Sequence, residues 1–178
     1  MAPVWSLRSL VKRAPVSLFE YATKFGPVLS TFRIGDVDGA YPIYSGEGSK
    51  HYPGRWNITN EAMIYTSKYL STAMLEKLVR TGEMPPNQHF VEIEIPPGTT
   101  YEVFTKDSLP GWSNLNCAKS KTFGSAWMSS RRSAILIVPS VVARMEQNVL
   151  INPDHPDAVK IMQGLETPLS WDDRLFKT

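Results

Sequence analysis

Residues 44–57 have the sequence YSGEGSKHYPGRWN. This stretch brings three glycines, small hydroxyl side chains, an arginine and aromatic residues into one loop. Glycine lets a backbone approach a ligand closely, and successive free N–H groups form a cradle for anions. Arginine adds a planar pair of donors that suits a phosphate or pyrophosphate. The loop is therefore typical of a site for a phosphorylated ligand or nucleotide, and equally of an exposed Gly/Ser loop between two strands.

The pattern of apolar residues on both sides of this loop predicts strands. Residues 30–34 precede the loop and residues 63–67 follow it, and both are rich in β-forming side chains. The unbroken apolar run 134–138 is typical of a central strand, which Pro139 ends. Further strands are predicted over residues 90–95, 100–104 and 149–152.

Helical spacing appears in three places along the chain. Apolar residues within 68–80 recur at helical intervals, and Gly82 is placed as the C-terminal cap. Residues 117–131 and 157–163 predict two further helices. We expect residues 1–30 to form an N-terminal extension, with one or two short helices, packed on the domain. The whole pattern predicts a single α+β domain in which helices flank a mixed or antiparallel sheet.

The composition limits the classes of function that the chain can have. Of its 178 residues, 42% are hydrophobic and 20% are charged, which is ordinary for one globular domain. A net charge of +2 is too small to indicate a nucleic acid as the main partner. No segment approaches the roughly 20 apolar residues that a membrane span needs. We therefore expect neither nucleic acid nor a membrane among the partners.

The cysteine and histidine residues give no sign of a metal site. Cys117 is the single cysteine, so we expect no internal disulfide, and a reducing cytoplasm is the natural compartment. The histidines lie far apart without the spacing of metal ligands, and we interpret each as a surface or loop residue. They are His51, His89 and His155.

Short motifs follow one another along the chain in a recognisable order. They are Arg33 in a strand, SGEG at 45–48, GRWN at 54–57, IY at 64–65, a helical Glu76, VPS at 138–140, LINP at 150–153 with HP at 155–156, and DRL at 173–175. Together they resemble the RES-domain family, from about residue 32 to the C-terminus. We therefore expect a RES domain over residues 31–178. Pro53 departs from the family pattern, which usually has glycine there, and it removes one N–H from the anion cradle.

The resemblance implies a fold similar to ADP-ribosyltransferases. It also implies the toxin of a bacterial type II toxin–antitoxin pair, whose antitoxin is an Xre-type or MbcA-like protein. Members of the family consume NAD as a substrate, some by hydrolysis or phosphorolysis and others in the manner of protein ADP-ribosyltransferases. The leading interpretation is a cytoplasmic toxin that depletes NAD, and the alternative is a toxin that modifies a target protein. A third interpretation is an inactive module that binds a nucleotide or an antitoxin.

Cleavage of the nicotinamide–ribose bond needs a stabilised cation at the anomeric carbon of the ribose. Under the resemblance, Glu76 is the carboxylate that meets this cation, and Arg33 binds a phosphate or the nicotinamide ribose. Tyr65 would stack on nicotinamide or hydrogen-bond the ribose, so we assign these three residues as catalytic. Apart from the resemblance, Glu76 is an exposed helical residue paired with Arg80, and Arg33 is a strand residue paired with a nearby aspartate.

The other predicted binding residues surround the glycine loop. Arg55 either supplies a second cation or holds the loop closed. Ser140 either caps local backbone or reaches the ligand, and its sequence context favours it over Ser133 as the serine of the family. We expect Trp56 and Trp127 in the core. The complete predicted set for NAD binding is Arg33, Ser45, Gly46, Gly48, Arg55, Asn57, Tyr65 and Ser140.

Overall fold

Nine strands form a single sheet within residues 23–176, the part of the chain that this computed structural model describes. The strands are β1 Thr23–Lys24, β2 Leu29–Asp36, β3 Ile64–Ser67, β4 Gln88–Ile95, β5 Thr100–Val103, β6 Ile135–Pro139, β7 Gln147–Ile151, β8 Met162–Gln163 and β9 Thr167–Pro168. The helices are α1 Glu47–His51, α2 Leu70–Thr81 and α3 Ala118–Ser130, with short 3₁₀ turns at Lys106–Ser108, Pro156–Lys160 and Asp173–Phe176.

The sheet is mostly antiparallel. Its strand order is β1-β5-β6-β7-β3-β2-β4-β8, with β9 also paired to β4. Among the described strands, β5 and β6 alone run parallel. Strands β2 and β4 pair along their whole length, from Leu29 opposite Ile95 to Asp36 opposite Gln88. By contrast, β2 meets β3 at one residue pair, so these two neighbouring strands diverge.

Hydrophobic clusters cover both faces of the sheet. Ile135 and Ile137 of β6 belong to one cluster, whereas Leu136 and Val138 belong to the other. Successive side chains of a strand point to opposite faces, which explains why the run 134–138 is apolar without alternation. Trp127 is fully buried in the second cluster, and its indole N–H donates to the hydroxyl of Ser133 at 2.8 Å. Trp56 belongs to the same cluster, so both tryptophans lie in the core as predicted.

One glycine ends α2, and another lets α3 pack closely against the backbone at Trp56. Gly82 follows α2 in the left-handed conformation, with φ of +71°, and its N–H donates to the carbonyl of Leu78 at 2.8 Å. The predicted C-terminal cap is therefore confirmed. Gly124 lies inside α3 where the helix crosses the backbone of Trp56, and a Cβ at this position would lie 1.8 Å from the Trp56 carbonyl oxygen. The missing side chain allows this close approach.

Most predicted elements are confirmed, with differences of one to three residues at their ends. The predicted loop at 44–57 contains the short helix α1. The predicted helix over 157–163 is wrong, because Pro156–Lys160 forms a 3₁₀ turn and Met162–Gln163 pairs with β4. His89 lies within β4 and is partly buried, so its assignment to the surface or a loop is also wrong.

The predicted N-terminal extension spans residues 1–30, and its residues 1–22 lie outside the described residues. In the described remainder, Thr23–Lys24 forms β1 and β2 begins at Leu29, so residues 23–30 join the sheet and contain no helix. Within residues 23–176, no helix is long and apolar enough to cross a membrane. The same range contains no group of three or more His, Cys, Asp and Glu side chains that could hold a metal ion.

Candidate active site

A cavity of about 540 Å³ lies where β2 and β3 diverge. Strand β2 contributes residues 32–34, β3 contributes residues 65–67, and α2 lines another side with several residues from 73 to 80. The segment that carries the glycine loop adds residues between 48 and 56. This volume is in the range of small-molecule sites, and the lining combines apolar side chains with a few charged groups.

The charged side chains that line the cavity are unbalanced in sign. Arg33, Arg55, Lys77 and Arg80 are cationic, whereas Glu76 is the one acidic residue that the described part of the chain places in the lining. Because the whole chain has a net charge of +2, positive charge is concentrated at this site. A cleft lined mainly by one sign of charge attracts ligands of the other sign, so the cavity is suited to an anion.

Arg33 enters the cavity from β2. Burial, together with the positive charge of Arg80, lowers the pKa of Arg33 to about 10, so the guanidinium remains protonated at neutral pH. Its Nη1 donates to the carbonyl of Tyr65 at 3.5 Å, which is a long contact. Asp36 and Asp38 are the nearby aspartates that the sequence offers as partners of Arg33. Asp36 instead pairs with Lys77 at 3.4 Å and with the amide of Gln88. Within residues 23–176, the contact with the Tyr65 carbonyl is the one hydrogen bond of Arg33, so its guanidinium keeps further donors for a ligand in the cavity.

Glu76 is fixed by two hydrogen bonds to the same carboxylate oxygen. Its Oε1 accepts from the hydroxyl of Ser140 at 2.8 Å and from Nδ2 of Asn148 at 2.7 Å. The Ser140 oxygen in turn accepts from the backbone N–H of Ala143 at 2.9 Å. Among the ion pairs of the described residues, none joins Glu76 to Arg80. The carboxylate is thus held at the sheet and not on the outer surface of the helix.

The two candidate serines occupy different places. Ser140 contacts Glu76, as described above. Ser133 is buried elsewhere, where its hydroxyl lies 3.1 Å from a carboxylate oxygen of Glu102 and accepts from the indole of Trp127. The structure therefore brings Ser140, and not Ser133, into contact with Glu76.

Tyr65 connects the cavity to the loop beside it. Its hydroxyl donates to Oδ1 of Asn57 at 2.7 Å and accepts from the backbone N–H of Trp56 at 3.0 Å. Burial raises the pKa of the Tyr65 phenol, which stays neutral at physiological pH. A Cβ on Gly54 would lie 2.6 Å from the Tyr65 Cζ, so glycine is needed where the loop passes the ring. Tyr65 therefore both lines the cavity and supports its wall.

Three residues of the predicted binding set serve the loop and do not line the cavity. Asn57 is buried, and its side-chain amide donates to the carbonyls of Ser49 and Glu61. The Ser45 hydroxyl accepts from the N–H at the start of α1. Gly46 packs against the backbone of Ala62, and a Cβ on Gly46 would lie 2.9 Å from the carbonyl carbon of Ala62. These side chains shape the loop.

Arg55 lines the cavity and also performs the loop-holding role considered from the sequence. Its Nη1 donates to the carbonyls of Trp112 at 3.2 Å and Asn114 at 2.8 Å. Gly48 also lines the cavity. Of the predicted site residues, the lining therefore includes Arg33, Gly48, Arg55, Tyr65 and Glu76, and Ser140 lies behind Glu76.

Comparison with known proteins identifies the family of the chain that carries this site. The model of the RES domain matches residues 30–172. The chain belongs to the RES-domain family. The resemblance to this family that the motifs indicated is therefore confirmed, although the motif at residues 173–175 lies just beyond the matched residues.

The curated relatives of this RES domain are bacterial toxins. The chain is 40% identical over 139 residues to the Prs ADP-ribosylating toxin of Sphingobium sp. (strain YBL2), covering 75% of this chain and 86% of the relative. It is 33% identical to Toxin Res of Yersinia enterocolitica, covering 72% and 86% of the two chains. It is 32% identical to Toxin Res of Pseudomonas putida, covering 77% and 95%.

A solved structure supports the same fold. The RES domain superposes on a chain of the Mycobacterium tuberculosis MbcT-MbcA toxin–antitoxin complex with a TM-score of 0.65. The superposition covers 83% of this chain and 87% of that chain, at 13% sequence identity. The expected α+β fold with a mostly antiparallel sheet is confirmed.

Several polar residues in the lining of the RES-domain cavity were not predicted from the sequence, and two of them, Asn148 and Ser67, form a hydrogen-bonded chain to Glu76. Asn148 bonds to Glu76, and the hydroxyl of Ser67 donates to Oδ1 of Asn148 at 2.8 Å. An asparagine beside the buried residues of β7 is a visible signal, since a strand accommodates an inward amide only where it is hydrogen-bonded. Arg80 was considered only as a partner of Glu76, although it lines the cavity itself.

Proposed function

We propose that this RES-domain protein is an enzymatic toxin that binds NAD in the cavity between β2 and β3 and cleaves its nicotinamide–ribose bond. The observation that supports this most is the Glu76 carboxylate, fixed by two donors within a cavity whose other charged residues are cationic. NAD offers a matching pattern, because it has a negative pyrophosphate and a ribose that becomes positive as nicotinamide leaves.

The cations provide the binding step. We assign Arg33 and Arg80 to the pyrophosphate, because both line the cavity and the positive charge of Arg80 acts on Arg33. An anion placed between two nearby guanidiniums relieves their repulsion and gains charge-assisted hydrogen bonds. Arg55 contributes less in this proposal, since its Nη1 already holds two backbone carbonyls.

The carboxylate provides the chemical step. As the glycosidic bond breaks, its electron pair moves onto the nicotinamide nitrogen, which leaves as a neutral base, and positive charge develops on the ribose. Among residues 23–176, Oε2 of Glu76 has no hydrogen-bond donor, so it is free to accept from a ribose hydroxyl. A fixed negative charge beside the developing cation lowers the barrier. Tyr65 would position the nicotinamide or its ribose.

Two classes of acceptor for the ADP-ribosyl group follow from the comparisons and the sequence, a small molecule or a protein. Water or phosphate would make the protein an NAD-depleting toxin, which is the leading expectation from the sequence. A protein side chain would make it an ADP-ribosyltransferase, and the name of the 40% identical Sphingobium relative favours this candidate. That name also makes Prs the first acceptor protein to test.

An antitoxin is the expected macromolecular partner. The structural neighbour of this chain was solved as a toxin–antitoxin complex, and we propose an Xre-type or MbcA-like partner here. A carboxylate is attracted to a cationic cavity and can occupy it, so we expect a carboxylate-bearing segment of the partner to compete with NAD. The single free cysteine agrees with action in the cytoplasm.

The acceptor can be identified with NAD that carries a label in its adenosine half. The purified protein is incubated with this NAD in buffer, in phosphate, and with purified Prs, and the products are separated by chromatography and gel electrophoresis. Labelled ADP-ribose or its phosphate supports depletion, and labelled Prs supports transfer. Intact NAD under all three conditions, at the level of a Glu76→Gln control, would refute the proposed function.

A further inference from the structure

The side chain of Asn148, in strand β7, connects Glu76 of α2 to Ser67 of β3. We infer that Asn148, supported by Ser67, is a positioning residue that sets the orientation of the Glu76 carboxylate for catalysis. This inference rests on the proposed function, because it assigns Glu76 a part in the reaction. It adds a role for two residues of the lining that the sequence motifs do not contain.

The hydrogen bonds around Asn148 fix which end of its amide faces Glu76. Nδ2 donates to Oε1 of Glu76 at 2.7 Å, and Oδ1 accepts from the hydroxyl of Ser67 at 2.8 Å. A carboxylate can only accept, so the reversed amide would place two acceptors against each other. The donor from Ser67 satisfies the oxygen at the far end. The amide is thus held at both ends in the one orientation that supports the carboxylate.

The sheet places this pair with little freedom. Ser67 of β3 and Asn148 of β7 are directly opposite in the antiparallel register, and Val138 of β6 is opposite Asn148 on the other side. Glu76 comes from α2, which packs against β2 and β3. A glutamate side chain has three rotatable bonds, and the contact with Asn148 restricts them from a fixed point on the sheet.

The hydrogen bonds from Ser140 and Asn148 to the Glu76 carboxylate end on the same oxygen. Ser140 and Asn148 donate to Oε1, and within the described part of the chain Oε2 receives no donor. This arrangement separates the two oxygens by function, since Oε1 anchors the group and Oε2 is left for the substrate. Loss of the Asn148 amide removes one of the two anchors. Small displacements of a reacting group lower the rate strongly, whereas ground-state binding to the distant pyrophosphate is unaffected.

The experiment compares Asn148→Ala in the native and Glu76→Gln backgrounds. In the native background, we expect kcat for nicotinamide release to fall by about tenfold to a hundredfold, with little change in KM. In the Glu76→Gln background, we expect Asn148→Ala to have almost no further effect, because its influence passes through the carboxylate. Gln147→Ala is the control, since it removes an amide from the neighbouring position of the same strand.

Two results would overturn the inference. The first is an equal loss of kcat in both backgrounds, which would make Asn148 act independently of Glu76. The second is an unchanged kcat in Asn148→Ala. Ser67→Ala is a milder variant for the case in which Asn148→Ala folds poorly, and we expect a smaller loss that again disappears with Glu76→Gln.

A crystallographic measurement separates this inference from the proposed function. We expect the Glu76 carboxylate to leave its position beside Ser140 in the structure of Asn148→Ala, and an unmoved carboxylate would overturn the positioning role. This readout needs no turnover. Failure of the native protein to release nicotinamide would refute the proposed function, while the position of Glu76 in the variant would still test the part played by Asn148.

Discussion

Glu76 gains its proposed role from its surroundings and not from its position in α2. A glutamate in the middle of an ordinary helix faces solvent or pairs with a basic residue four positions later. Here its Oε1 is bonded to Ser140 and Asn148, which come from the loop after β6 and from β7. The charge is therefore anchored beside the cavity, where a developing cation would feel it most strongly.

Glu76→Gln removes the charge while it keeps the size of the side chain. We expect kcat for nicotinamide release to fall by roughly 10²-fold or more, because the lost interaction forms mainly in the transition state. The affinity for NAD should change far less. Calorimetric titration beside a rate assay measures both quantities. Glu83→Gln, an exposed glutamate just beyond α2, is the control, and near-native turnover in Glu76→Gln would return Glu76 to a structural role.

Arg33 should behave differently, because the contact that we propose with the pyrophosphate would exist before and during the reaction. We expect Arg33→Ala to weaken NAD binding and to lower kcat/KM together. Arg33→Lys keeps the positive charge but loses the planar pair of donors, so it should recover only a small part of the affinity. Titration of NAD into each variant gives the dissociation constants. Native affinity in Arg33→Lys would contradict a bidentate contact.

Individual site residues could be predicted from the motifs, but their contacts could not. Arg33, Tyr65 and Glu76 line one cavity as the resemblance implied. Asn57 belongs to the same motif as Arg55, yet its side-chain amide donates its hydrogen bonds to carbonyls of the loop. A motif records that a residue is needed without recording whether it touches the ligand or supports the loop, since both uses depend on contacts between distant segments.

At the scale of elements, the packing of α3 depends on a single missing side chain. Gly124 approaches the carbonyl of Trp56 so closely that a Cβ would lie 1.8 Å from its oxygen. The backbone of this segment also carries the hydrogen bond from Trp56 N–H to the Tyr65 hydroxyl. Helix α3 therefore supports the wall of the cavity from behind, through the loop and not by direct contact with substrate.

Gly124→Ala should destabilise the protein by about 3 kcal/mol, because the helix must move away from Trp56 to accommodate the methyl group. Gly48→Ala is the matched control in α1, where the nearest atom to a Cβ lies 3.8 Å away. It should stay within about 1 kcal/mol of the native stability, since alanine favours a helix over glycine. Urea unfolding compares the three proteins. Equal midpoints for the two variants would contradict the close contact.

The elements themselves were largely predictable where local pattern and tertiary environment agree. The alternation in β4 and the cap at Gly82 are signals of this kind. The predicted helix at 157–163 is wrong because its last two residues, Met162 and Gln163, pair with β4. Pairing between distant segments overrides local helical spacing. The divergence of β2 from β3 was also beyond local pattern, since it depends on how both strands pair with their other neighbours.

At the scale of the whole molecule, Asp157 makes stability depend on acid pH. Its carboxylate accepts from Lys160 at 2.6 Å and from the Thr100 hydroxyl at 2.9 Å, and His155 lies 4.0 Å away. The hydrogen bond from Lys160, followed by those from Thr100, lowers the pKa of Asp157 from 3.8 to about 2. The unfolded chain therefore binds this proton more readily than the folded chain does.

Because the folded pKa is the lower one, the stabilisation is complete above about pH 4 and is lost as the pH falls towards about 2. Asp157→Asn should remove this contribution, so the native protein and the variant should differ in stability at about pH 5 and converge in strong acid. Urea unfolding across this range measures the effect, with the exposed Asp154→Asn as control. A constant difference between native and variant stability at every pH would contradict it.

Release of nicotinamide tests most directly whether the cavity between β2 and β3 breaks the glycosidic bond of NAD. The purified protein is incubated with NAD labelled in the nicotinamide ring, with water, phosphate and Prs present together as acceptors. We expect free labelled nicotinamide from the native protein, and roughly 10²-fold slower release from Glu76→Gln. Intact NAD after incubation with the folded native protein would contradict the proposed reaction, whatever the acceptor.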